Sequence, residues 1–360
     1  MITNKEYAVA PEPQPTPQDE WAAWDTSPER QSYWPGLGLE HKDGYEDGYE
    51  VDHARLQTIG LHLMTEFDDV YHLLHKPFHS GAKMDDGIMD WQAADTVSFL
   101  ISNFEEALCC LTGDAMMECT AAAALVTTTG RSYEFADDHA LRAKPSLWNG
   151  LPEGVGGSKG DYRVSNAYPA GTIGLLTPYE NIKDPIADYI TYNNSHHEKN
   201  RVQIREMLMS WKVDAVADYA TATVNIANGL VEVAHAFVFR AQEIRDAPWR
   251  GPAADKAQKT LKQIFESVRG LAAVHGEVGL RTNECAEILR SAQHRFDGVV
   301  NKGGWEFSDL WNGDDGDARE FLTNVNRQLG DVMGRLPERA LIDLPGLIPE
   351  GERDVYSLAW

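Results

Sequence analysis

The sequence predicts an all-α protein, an elongated four-helix bundle of two long helical hairpins with an extended N-terminal arm and an irregular linker. Three observations carry that expectation. Ala257, Leu261, Ile264, Val268, Leu271, His275, Val278, Thr282, Cys285, Leu289, Ala292 and Phe296 recur in alternating steps of four and three. This is a helical seam kept over about five heptads, and few strands could imitate it. Before it, Leu208, Trp211, Ala215, Tyr219, Ala222, Ile226, Leu230, Val233, Phe237, Ala241 and Ile244 follow a period of about eleven residues, close to that of a straight helix. The two stripes meet at one tight turn, Ala247-Pro248-Trp249-Arg250-Gly251-Pro252. Pro248 stops the first helix, and Pro252 suits the first turn of the second, where a missing N–H is harmless. A helix of roughly 45 residues at about 1.5 Å per residue is about 65–70 Å long, so the hairpin is a rod.

The remaining elements follow in chain order. Residues 1–50 form an acidic, proline-rich arm, because the run Pro11-Glu12-Pro13-Gln14-Pro15-Thr16-Pro17 excludes a helix. Its Trp21, Trp24, Tyr33 and Trp34 are unusual for a disordered tail and suit a groove of the chain's own body or of a neighbouring subunit; a floppy acidic tail is the plainer alternative. Residues 51–137 give the first hairpin. One helix starts at Val51, carries Leu56, Ile59, Leu63, Phe67, Val70 and Leu74 on one face, and ends near Lys76-Pro77. After a polar connection with Gly81 and Gly87, Asp90 is the expected N-cap of a second helix starting at Trp91. Its stripe of Val97, Ile101, Phe104, Leu108, Leu111 and Ala115 runs toward Thr129, with Gly130 as a weak point.

Residues 138–183 are a Gly/Pro-rich connector, and 184–302 hold the long hairpin, with an earlier helical stretch from Asp184-Pro185 interrupted around Asn193-Asn194-Ser195-His196-His197. In the C-terminal part, 303–360, Gly303, Gly304 and the Asp314-Asp315-Gly316-Asp317 run are expected as a loop. A short amphipathic helix with Phe321, Val325, Leu329, Val332 and Leu336 follows, and the segment holding Pro345 and Pro349 is extended.

Composition narrows the function. A net charge of -24 without a Lys/Arg cluster argues against nucleic acid, and it disfavours simple attraction to an anionic membrane. The start, MITNKEYAVAPEPQP, lacks the apolar core of a conventional signal peptide, and no later run approaches a membrane span. Cys109, Cys110, Cys119 and Cys285 all fall in helical patterns and are expected as buried small apolar residues rather than a disulfide framework.

Chemistry-bearing motifs are few. Gly154-Val155-Gly156-Gly157-Ser158-Lys159-Gly160 fails as a phosphate loop, because Lys159 precedes Gly160 instead of Ser or Thr. Glu232-Val233-Ala234-His235 is a Glu-x-x-His on the central hairpin, with Asp69-Val70-Tyr71-His72 a looser counterpart, so a di-metal carboxylate enzyme stands as an alternative. His72, His75 and His79 have one-face spacing but Pro77 interrupts them, and the Asp314 to Asp317 run puts Val325 where an EF-hand needs its final Glu. The chain carries no H-E-x-x-H and no Cys-x-x-Cys. After the long hairpin, about 55 residues remain, too few for a typical catalytic domain.

Two motifs carry a resemblance. Trp249-Arg250-Gly251, at a hairpin turn and followed by Pro252-Ala253-Ala254-Asp255, resembles the W-x-G turn of the WxG and PPE-type families. Tyr133-Glu134-Phe135-Ala136-Asp137 is a Y-x-x-x-D placed after the second helix of the first hairpin. Together they resemble substrates of actinobacterial type VII (ESX) secretion, above all the EspB-like fused PE/PPE-type proteins, over roughly residues 51–300.

The resemblance implies a PE-like hairpin at 51–137, a PPE-like hairpin at 184–302, and both motifs close together at one end as an export signal. Trp249 and Gly251 would shape the turn, while Tyr133 and Asp137 would be read by the export ATPase and its machinery. A Trp at a turn packs its ring, a Gly permits close approach, and Tyr and Asp four apart share one helix face. It further implies a non-enzymatic protein without cofactor or metal, secreted or at the cell surface, acting as a structural homo-oligomer. Membrane contact stays open, as does an intracellular helical scaffold or adaptor.

Overall fold

The computed structural model describes residues 52–80, 91–138, 159–163, 198–247, 249, 252–300, 313–337 and 339–347. In chain order the elements are α1 (His53–Thr65), α2 (Asp68–Ser80), α3 (Gln92–Asp138), β1 (Lys159–Arg163), α4 (Arg201–Met209), α5 (Val213–Asp246), α6 (Pro252–Val300), α7 (Gly313–Met333) and β2 (Arg339–Asp343). The described chain is therefore a helical bundle with one short ladder. The expected arm at 1–50, the helix from Asp184 and the His196-His197 break lie outside the described residues.

α4 and α5 pack along α6, and hydrogen bonds to α6 mark their register. Gln258 Nε2 donates to the Ala241 carbonyl (2.9 Å), Gln293 Nε2 to the carbonyls of Leu208 (2.8 Å) and Trp211 (3.0 Å), and Arg205 Nε to Asp297 (3.0 Å). The partner before the turn moves back along the chain as the partner after it moves forward, as antiparallel helices require. All twelve seam positions of α6 are buried, but burial spreads wider than a seam: every residue from 267 to 276 is enclosed. The helix is central rather than amphipathic, because α3, α5, α7 and β2 all pack on it.

Several expected boundaries shift. The helix before the turn is two helices, because the chain breaks at Ser210-Trp211-Lys212. Asn200 opens α4 with a capping box to Gln203. At the break, Trp211 is buried edge-to-face on Trp91, with centroids 6.0 Å apart at 73°. The Gln293 amide accepts the role of the lost helical donors for two freed carbonyls, so the interruption leaves them satisfied.

The first helix is likewise interrupted, at Glu66-Phe67, and α2 passes Pro77 to end at Ser80. A proline in a last turn removes one intrahelical N–H bond and crowds the carbonyl four residues earlier, but only a few helical residues follow it here. The break redirects the chain: α1 lies antiparallel on α3, whereas α2 lies on α5, with Phe67 edge-to-face on Phe237 (6.3 Å, 76°). Arg240 holds the corner, its Nε on Glu66 (2.7 Å) and its Nη1 on Glu243 (2.6 Å).

α3 runs unbroken through Gly130, which is not a weak point but a place of close approach. A Cβ there would lie 2.8 Å from the His53 carbonyl. At Gly60 the fit is tighter still, since a Cβ would lie 2.1 Å from Thr127 Oγ1 and 2.8 Å from the Ala123 carbonyl.

Two further corrections concern the C-terminal part. The Asp314 to Asp317 run is the first turn of α7 rather than a loop, as acidic residues at a helix N-terminus favour. Asp315 Oδ1 accepts from the Arg201 backbone N–H (2.8 Å), and Arg319 Nε donates to the Lys199 carbonyl (2.9 Å), tying α7 to the start of α4. Within the expected irregular connector, β1 pairs antiparallel with β2, from Lys159 opposite Asp343 to Arg163 opposite Arg339. Beyond β2, Gly346 adopts a φ of 67°, and the Leu347 N–H reaches the buried Glu118 Oε2 at 2.7 Å.

Candidate functional site

The end of the bundle that carries the hairpin turn is built from three chain segments. α5 ends at Asp246, and Ala247 leaves the helix in an extended conformation (φ -71°, ψ 141°). The Trp249 N–H then closes a three-residue turn on the Ala247 carbonyl at 2.6 Å. Trp249 is only 3% exposed and belongs to the main core. Its indole Nε1 is buried without a hydrogen-bond partner, so the ring is held by packing alone. Gly251 lies outside the described residues.

Tyr133 and Asp137 lie inside the last turns of α3, which continues to Asp138, and not after the helix as expected. Three residues, about 4.5 Å of helix axis, separate Gly130 from Tyr133. Gly130 abuts the carbonyl of His53 in the first turn of α1. In that same turn, Arg55 Nη1 donates to the Asp246 carbonyl at 3.4 Å, three residues before Trp249. The final turns of α3 and the Trp249 turn therefore lie at one end of the bundle, with the first turn of α1 between them.

Periodicity named neither Arg55 nor Gly60, and it named Gly130 for the wrong reason. Inter-helix contacts assign their roles, and no local pattern encodes those. A Gly at i and another small or hydroxyl residue on a partner helix is the nearest available signal.

The alternative metal reading meets the opposite geometry. Glu232 and His235 are exposed on α5, and Asp69 and His72 are exposed on α2, so neither pair faces the interior where a di-metal site would need it. His72 packs edge-on against Tyr71 (5.6 Å, 74°). Among the described residues no three His, Cys, Asp or Glu side chains are grouped to hold a metal ion.

Among the described residues, His275 is a fully buried histidine, and its Nε2 lies 3.0 Å from Thr112 Oγ1. Burial pushes its imidazole down to about 3, a shift that the nearby Leu108 backbone only partly opposes. Cys119 and Cys285 are buried, as expected of small apolar residues, and Cys109 is half-buried. Burial pushes the Cys119 thiol well up, helped by Glu66, and does the same for Cys285, helped by Glu284 and opposed by Arg335. Neither thiol is a nucleophile at neutral pH.

Contrary to the reading of the sequence, two helices among the described residues, spanning 93–131 and 213–246, are long and apolar enough to cross a membrane by length and composition. About half of each apolar window is buried in the bundle, as core helices would be. No protein-family model matches the chain, and no curated protein sequence matches it.

Proposed function

We propose that this chain is a substrate of a type VII (ESX) secretion system, EspB-like in build, that acts outside the cytoplasm as a non-enzymatic structural component. In this reading Trp249 and Gly251 shape one half of the export signal, and Tyr133 and Asp137, at the end of α3, form the other half, which the export ATPase reads. The observation that carries the reading is the placement of the last turns of α3 and the Trp249 turn at the same end of the bundle, bridged by α1. An export receptor can contact both halves of the signal at once only if they lie together.

The test is the secreted fraction of Tyr133→Ala and Trp249→Ala in a host that carries an ESX system. Both variants are expected to stay in the cell as folded protein, as judged by protease resistance. Secretion at the wild-type level by both would return the chain to the rival reading, an intracellular scaffold or adaptor.

The same proposal has the protein assemble into a homo-oligomer, with two hairpins forming the body and the aromatic-bearing arm at 1–50 supplying the subunit contact. Light scattering coupled to size exclusion should then give a discrete oligomer for the full chain and a smaller species after removal of residues 1–50. A monomer in both forms would end the assembly idea while leaving export untouched.

A further inference from the structure

We infer that Arg55 is a positioning residue for the W-x-G turn, holding it in register with the end of α3; the inference rests on the export reading above. The carbonyls at the end of a helix have no intrahelical partners and need outside donors. α5 has no glycine in a left-handed cap, since Ala247 is extended. Its last residue, Asp246, instead gives its carbonyl to Arg55 Nη1 at 3.4 Å, from a segment 191 residues away in sequence. A cation at this position also complements the negative end of the helix dipole.

Arg55 is itself well placed to transmit position. Its backbone N–H donates to the Asp52 side chain at 3.0 Å, so it sits in a capped first turn. That turn packs closely on α3, where a Cβ on residue 130 would come within 2.8 Å of the His53 carbonyl. Arg55 thus sits in the turn that packs on α3 and reaches the end of α5 through its guanidinium. Trp249 follows Asp246 by three residues and has no hydrogen bond at Nε1 to locate its ring. The path of the backbone into the turn then decides where the ring packs, and Arg55 sets that path.

The experiment labels the full-length chain with 5-fluorotryptophan and assigns the Trp249 resonance as the one lost in Trp249→Phe. Arg55→Ala is expected to move that resonance and to cut export several-fold, while the urea midpoint changes no more than for an ordinary surface substitution. Arg55→Lys keeps a cationic donor and should restore both readouts. An unmoved resonance with normal export in Arg55→Ala overturns the inference and leaves the export reading standing, provided Trp249→Ala is still retained. An unmoved resonance with lost export also overturns it, because Arg55 would then be touched by the partner rather than position the turn. Wild-type export of Trp249→Ala defeats the export reading itself, and with it any export role for Arg55.

Discussion

Gly60→Ala destabilises the protein, whereas Gly298→Ala stabilises it, and this opposite sign is the sharpest expected outcome for the bundle. In an open helix, glycine costs about 0.5–1 kcal/mol relative to alanine, so an unobstructed replacement is a gain. Gly298 in α6 has nothing within 4 Å of a new Cβ and should show that gain. At Gly60 the new methyl would lie 2.1 Å from Thr127 Oγ1, and 2.8 Å from both the Ala123 carbonyl and the Thr127 N. The Thr127 hydroxyl could rotate away, at the expense of its own bond to the Ala123 carbonyl (2.9 Å). The backbone atoms have no such escape, so α1 must lift off α3. Overpacking of this kind costs about 1–3 kcal/mol, enough to outweigh the helix-propensity gain. Urea midpoints of the two variants, compared with wild type, test the pair. Equal gains for both would mean that α1 does not seat on α3 through Gly60.

Acid weakens the fold through His275. In the folded chain its imidazole is lowered from 6.5 to about 3, while in the unfolded chain it titrates near its ordinary value. Between those limits the unfolded state binds the proton and the folded state does not, so stability falls as pH falls. Above pH 6.5 both states are neutral at this site and its contribution is flat. Below it the loss is about 1.36 kcal/mol per pH unit, or about 2 kcal/mol by pH 5, and it levels off near pH 3.

Carboxylates add their own acid sensitivity, so the informative quantity is a difference. His275→Gln keeps a polar group facing Thr112 but cannot titrate. Its stability loss between pH 7 and pH 5, from urea unfolding, should be smaller than that of wild type by about 2 kcal/mol. Equal losses in the two proteins would place the acid sensitivity elsewhere.

The amino-acid sequence alone determined the helices and their turn. Apolar spacing located α6 at all twelve seam positions, and the stripe from Ala215 to Ile244 located α5, because a helix buries a stripe at a period its own geometry dictates. Pro248 and Pro252 located the turn between them, since proline chemistry is local. The same periodicity could not see the breaks at Glu66-Phe67 and Ser210-Trp211-Lys212, because the apolar stripe continues across both. Tertiary partners decide them: Arg240 grips Glu66 at one, and Gln293 takes the freed carbonyls at the other.

The candidate site divides in the same way. Trp249 and the Tyr133 to Asp137 element were legible as motifs, but their placement at one end of the bundle was not, since it depends on α1 docking by Gly60 and Gly130 and on Arg55 reaching Asp246. Local chemistry writes a helix into a dozen neighbouring residues. Which helices touch, and which glycine or arginine makes the contact, is settled only when segments far apart in the chain compete for the same space.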